Sequence, residues 1–190
     1  MIVIVRHGQT DANSGHRLLG RGNPPLNDAG AAQAAQAAKG LLARGFAFRH
    51  VFSSPLVRAL RTALIIAPDV PPVTDARLIE MDMGPYEGAD LHDLPPEVRV
   101  FFSDFANNPA PAGMEQLSDV VRRTGAFLEE IAPLEGDVLV CTHAIAMKAM
   151  LEYLTPGANG RFWSAYLGNC AAWAVRSEGG ALGLPEDLAL

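Results

Sequence analysis

Met1-Ile2-Val3-Ile4-Val5-Arg6-His7-Gly8-Gln9-Thr10 is the stretch on which the fold turns. Its apolar run is rich in β-branched residues and reads as a short buried strand. Arg6, His7 and Gly8 follow at once. They put a cation, an imidazole and a flexible backbone point at the strand's carboxyl end, where open α/β sheets bind their ligands. His7 is expected to be a nucleophile facing an anionic substrate, with the rest of the chain supplying its partners.

Working outward, Asp11 to Pro25 is a polar loop, long for a plain connection and so expected to be functional or disordered. Asn27 or Asp28 can cap an Ala/Gln-rich helix running to Arg44, with Gly45 as its stop. His50 to Ser53 is a short strand. Ser54-Pro55 then reads as a helix start, Ser as cap and Pro at the first helical position, the helix reaching about Ala67. Val73 and Leu78-Ile79 are read as extended pieces, and Pro96 to Ala106 as a helix. Leu117, Val120, Val121, Thr124, Phe127, Leu128 and Ile131 fall on one face of the most regular helix. Val138 to Cys141 is a second buried strand, ending in Thr142-His143 before a helix to about Leu154. Ala171 to Val175 is a last strand, followed by a Gly-rich turn and a frayed tail.

Strands alternating with helices predict an α/β fold, a three-layer α/β/α sandwich with a mainly parallel central sheet. If the strands before His7 and His143 are neighbours, both imidazoles meet at one sheet edge. The chain has 190 residues, 49% hydrophobic, a size suited to one domain over 1–190 that needs no metal or disulfide for its core. A net charge of −6 argues against a nucleic-acid partner. Cys141 and Cys170 have no metal-like spacing and are expected to be free thiols. The apolar start is too short for a secretory signal, and no stretch reaches a membrane span. A cytoplasmic protein is expected, with no membrane partner; a homodimer is left open.

Four features converge chemically: Arg6-His7 at a strand end, Arg58 in the first turn of a helix, His143 at another strand end, and Glu80 in a Gly-rich loop. Two arginines, two histidines and a helix start suit a phosphoryl group. A neutral histidine can attack phosphorus, and a protonated carboxyl can then serve the leaving oxygen. This chemistry requires no metal and no cofactor. His16, His50 and His92 have no partner pattern; Asn169, before the last strand, can approach the site.

Arg6-His7-Gly8-Gln9-Thr10 with Asn13, Leu19 to Gly22, Pro25 to Gly30, Ser53 to Ala59 with Thr62-Ala63, Leu78-Ile79-Glu80 with Gly84 to Gly88, and Val138 to His143 occur in order. In these blocks the chain resembles the histidine phosphatase superfamily, the phosphoglycerate mutase-like fold, over nearly its whole length. The resemblance implies that His7 is phosphorylated, that Arg6, Arg58 and His143 hold the phosphoryl oxygens with Asn13 assisting, and that Glu80 is general acid and then base. The family usually has Gly after the second histidine, where this chain has Ala144; the position can lend a backbone N–H to phosphate if the backbone there suits a residue with Cβ. The implied activity is metal-independent hydrolysis of a small phosphomonoester through phosphohistidine. The alternatives are a cofactor-dependent phosphoglycerate mutase-type phosphotransferase and a non-catalytic phosphate-binding module. The short insert between Glu80 and Leu117 favours the phosphatase form and an open pocket.

Overall fold

The computed structural model describes residues 1–190. Strand β1 (Ile2–Arg6) lies inside a six-stranded sheet ordered β3-β2-β4-β1-β5-β6. The other strands are β2 (Phe48–Ser53), β3 (Val73–Thr74), β4 (Asp137–Thr142), β5 (Ala172–Glu178) and β6 (Ala181–Asp187). Four strands are parallel; β5 and β6 run antiparallel to their neighbours. The continuous apolar run of β1 follows from burial on both faces. Ile2 and Ile4 enter one core cluster, while Val3 and Val5 enter another. Strand β4 repeats this, Val138 and Val140 on one side and Leu139 and Cys141 on the other. Each such side chain contributes about 1.5–3 kcal/mol of burial.

Helices α5 (Leu117–Ile131) and α6 (Ala144–Leu154) cover the first face, through Phe127, Leu128, Met147, Met150 and Leu151. Helices α2 (Asp28–Ala43) and α3 (Val57–Ile66) cover the second, through Ala34, Ala37, Leu41, Ala63 and Ile66. The three-layer architecture is therefore as expected. A third cluster seats the insert: Val98 and Phe101 of α4 (Pro96–Ser103), with Ala110 and Met114, pack on Ile145 and Ala149. No helix is long and apolar enough to cross a membrane.

Five local expectations need correction. The first long loop contains a helical turn, α1 (Asp11–Ser14), closed by a reciprocal box between Thr10 and Asn13. Ser54 does not cap α3; Leu56 keeps an extended backbone, so the helix begins at Val57, two residues beyond Pro55, and the Ser54 hydroxyl accepts from Leu56 N at 3.3 Å and pairs with His143. Leu78 ends a 3₁₀ turn (Ala76–Leu78) rather than extending, since Asp75 caps that turn by accepting from Arg77 N. Helix α4 stops at Ser103, short of Ala106. The tail does not fray from the turn onward: Gly179 and Gly180, both at positive φ, fold 181–187 back onto β5 as β6. A further turn, α7 (Arg161–Ser164), precedes β5 and carried no periodic signal.

Candidate active site

Parallel pairing of β1 with β4 sets Arg6 opposite Thr142, so the residues that follow, His7 and His143, emerge side by side. Their ring centroids are 5.1 Å apart, edge to face. Gly8 permits the turn that follows by close approach: a Cβ there would lie 2.3 Å from the Gly30 carbonyl oxygen, and one on Gly30 would lie 2.1 Å from that of Gln9. The two glycines let the start of α2 press directly on the segment after β1. Thr62 of α3 fixes it further, accepting from Gly8 N at 3.1 Å and donating to Arg58 O at 2.8 Å.

The His7 ring has a defined proton arrangement. Its Nδ1 is 2.6 Å from the Gly8 carbonyl, which can only accept, so Nδ1 carries the proton. Nε2 is then the lone-pair nitrogen, and it accepts from Arg58 Nε at 3.2 Å. Burial, reinforced by the Arg6 and Arg58 charges, holds the His7 pKa well below the ordinary imidazole value. Burial and then the Arg58 charge do the same for His143. His143 Nε2 pairs with Ser54 Oγ at 2.7 Å, while its Nδ1 is buried with no hydrogen-bond partner. Burial also pushes the Arg58 pKa down to about 10, with Glu80 and Glu87 pulling against it; it stays a cation at neutral pH.

Both arginines already donate to backbone carbonyls. Arg58 Nη1 donates to Gly22 O at 2.6 Å and Nη2 to Gly20 O at 2.7 Å. Arg6 Nη1 donates to Leu167 O, and Arg6 Nε is buried without a partner. The Gly20–Gly22 segment is in turn held by Glu87. Its carboxylate accepts from Gly20 N through both oxygens at 3.0 Å, from Arg21 N at 3.1 Å and from Gly22 N at 3.2 Å. Glu87 thus holds the peptides whose carbonyls hold Arg58.

Glu80 is not a solvated loop carboxylate. It spans the amino terminus of α6, accepting from Ala146 N at 3.0 Å and Met81 N at 2.9 Å through Oε1, and from Ile145 N at 3.1 Å through Oε2. Its two oxygens thereby satisfy backbone N–H groups that the start of α6 leaves without a helical partner. Ala144, the first residue of α6, has no positive φ and needs no glycine. Asn13 reaches the same region, its Oδ1 accepting from Thr10 N at 3.2 Å and Asn169 Nδ2 at 3.4 Å. Asn169 Nδ2 also donates to His7 O at 3.0 Å, so Asn169 does approach the site.

All seven residues singled out from the sequence therefore lie around one sheet edge. Their surroundings are more enclosed than the short insert implied: His7 and Glu80 are 3% exposed, and Arg58 and His143 are fully buried. Ser54 was read only as a helix cap, and Glu87 and Leu167 O had no assigned part in the site. Glu87 stood in a recognised block, but only the three-dimensional return of 87 onto 20–22 gives it a partner. Arg21, in the first long loop, pairs with Asp82 at 3.0 Å and Glu115 at 3.3 Å.

Residues 2–184 match the model of the histidine phosphatase superfamily (branch 1). The chain belongs to that superfamily. Among curated relatives it is 36% identical over 176 residues to a bifunctional protein of Mycobacterium tuberculosis, 87% of this chain but 47% of that one. The chain thus spans about half the length of that relative. It is 32% identical over 168 residues to a 2,3-bisphosphoglycerate-dependent phosphoglycerate mutase of a Methylobacterium species, covering 81% of this chain and 80% of the relative. Among solved structures it resembles a mycobacterial glucosyl-3-phosphoglycerate phosphatase in complex with VO3, at TM-score 0.82 and 27% identity, with 92% of each chain covered. It also resembles the phosphoglycerate mutase of Thermus thermophilus, at TM-score 0.77 and 29% identity, covering 100% of this chain and 98% of that one.

Proposed function

We propose that this histidine phosphatase hydrolyses a small phosphomonoester through a phosphohistidine on His7, without a metal. The observation that carries the reading is the His7 ring. Its Nδ1 proton is tied to Gly8 O, leaving Nε2 as the unprotonated nitrogen in the midst of Arg58, Arg6 and His143. Because burial and two cations disfavour imidazolium, His7 remains a neutral nucleophile at pH values where a free imidazole is charged.

In this reading the substrate phosphoryl group exchanges for the carbonyls that now take the arginine donors. Arg6 and Arg58 hold its oxygens, with Asn13 through Nδ2 and Ala144 through its N–H. His143 Nδ1, buried and unpartnered, gains an oxygen acceptor. Charge stabilisation by these fixed donors dominates, since the transferring group stays anionic throughout. Glu80 delivers a proton to the leaving oxygen and then takes one from the attacking water. The whole chain is read as one catalytic domain, and its buried free thiols, Cys141 and Cys170, suit a reducing cytoplasm.

The test is a phosphomonoester panel run with excess chelator beside a mutase assay. Hydrolysis is expected to persist in chelator and to exceed transfer to a second phosphoglycerate. Loss in chelator with recovery on adding a metal ion overturns the metal-free mechanism; dominant transfer makes the protein a mutase.

Glu87 is read as a positioning residue for Arg58. Glu87→Ala removes the acceptor for three backbone N–H groups and frees the Gly20–Gly22 segment. The expected result is a KM raised about tenfold with kcat changed much less, Glu87→Gln lying between. An equal fall in kcat with KM unchanged contradicts this role.

A further inference from the structure

A cleft of about 670 Å³ opens between the end of α4 with the loop after it and the segment around α7. Phe102, Phe105, Trp163 and Tyr166 wall it, and Lys148 of α6 lies in its lining. Lys148 lies in the second turn of α6, the helix that His143 immediately precedes. Its Nζ donates to Trp163 O at 2.7 Å and stands 5.3 Å from the centre of the Phe105 ring. One of its three donors is thereby used. From the other side, Tyr166 precedes Leu167, whose carbonyl takes the Arg6 Nη1 donor. Cleft and phosphate pocket therefore share a boundary.

Tyr166 is 90% exposed, an aromatic ring standing at the mouth without packing. Asp104, the acid in the lining, is turned onto Asn107, accepting from Nδ2 at 2.7 Å and from N at 3.3 Å. Lys148 thus faces the cleft as its cation, and nothing in the phosphate chemistry employs it.

We propose that this cleft receives the leaving group of the substrate, and that Lys148 selects phosphomonoesters whose leaving group is a flat or ring-shaped body bearing a carboxylate. The proposal rests on the phosphatase reading. Aromatic walls bury a ring at small conformational cost. A half-buried ammonium with donors to spare forms a charge-assisted bond to carboxylate that is stronger than the same bond in open water. On a chain of net charge −6, a doubly anionic substrate needs such a local cation to enter.

The experiment compares phenyl phosphate with its 3- and 4-carboxyphenyl analogues, using the protein, Lys148→Met, Lys148→Arg and Arg176→Met. Arg176 is an exposed cation on β5 paired with Glu178, and its replacement controls for the loss of one positive charge. The protein is expected to prefer at least one carboxyphenyl isomer, through KM. Lys148→Met should lower that preference about tenfold, while Lys148→Arg and Arg176→Met retain it. Turnover of all three esters with no carboxylate preference, or a preference unchanged in Lys148→Met, overturns the cleft assignment and leaves the phosphatase reading standing. A preference lowered equally by Arg176→Met reduces it to bulk charge and also overturns it. Turnover of none of the esters overturns the phosphatase reading, and the cleft assignment with it.

Discussion

His7→Ala is expected to lose the phosphoenzyme entirely and to cut turnover by about 10⁴-fold or more, the scale on which covalent nucleophiles matter. The measurement is a rapid quench with a labelled phosphomonoester. The native protein should carry protein-bound label that survives alkali and is lost in acid, as expected for a phosphoramidate bond; the variant should carry none. Substitution removes one acceptor of Arg58 and the ring beside His143, so the fold must be checked alongside. The buried β1 and β4 cores do not depend on the imidazole, and a cooperative thermal transition should remain. A folded His7→Ala protein with near-native turnover refutes the nucleophile assignment. If label instead accumulates on another residue of the variant, the nucleophile is elsewhere on the same sheet edge.

Glu80→Gln should slow hydrolysis of alkyl phosphates by about 10²–10³-fold, with a much smaller loss for aryl phosphates whose leaving groups need no proton. The geometry makes this variant informative in a second way. Glu80 accepts three backbone N–H bonds with its two oxygens, and Gln offers one oxygen and one NH₂. The NH₂ must oppose at least one N–H at the start of α6, so some stability goes with the substitution, on the order of 1 kcal/mol. A purely structural role lowers the melting temperature and slows all esters alike. A leaving-group acid produces a rate loss that steepens as the leaving oxygen becomes more basic. Equal losses on both ester classes count against Glu80 as the proton donor.

The sequence disclosed the layers because β1 and β4 are buried on both faces, and a continuous apolar run between polar breaks has few other meanings. It disclosed the long helices because α5 carries a clean apolar stripe. It failed where local signals compete with tertiary partners. Ser54-Pro55 has the residues of a helix cap, yet the Ser54 hydroxyl accepts only from Leu56 N, ahead of the helix, and pairs with His143, 89 positions further along the chain. Strand β6 alternates weakly and gains its identity only by pairing with β5. At the site, residue types and strand ends were enough to single out Arg6, His7, Arg58 and His143. Glu80 stood out in its Gly-rich loop and took its role from the resemblance, but its place across the α6 start depends on the 3₁₀ turn before it, tied to β4 through Thr142 Oγ1 and Leu78 O at 2.8 Å. Glu87 and Leu167 could not be assigned at all, because their parts run through backbone groups, and backbone groups leave no mark in sequence.

The carbonyls of Gly20, Gly22 and Leu167 that take the arginine donors bear on how a catalytic cycle ends. In the proposed hydrolysis, the inorganic phosphate that water releases has to compete with three acceptors tethered to the same chain. Tethered acceptors act at a high effective concentration and are not diluted by solvent. Such a competitor shortens the product's residence, so the enzyme can bind a dianion strongly in the transition state and still discharge it, resisting product inhibition at phosphate levels that would saturate an unshielded arginine pair.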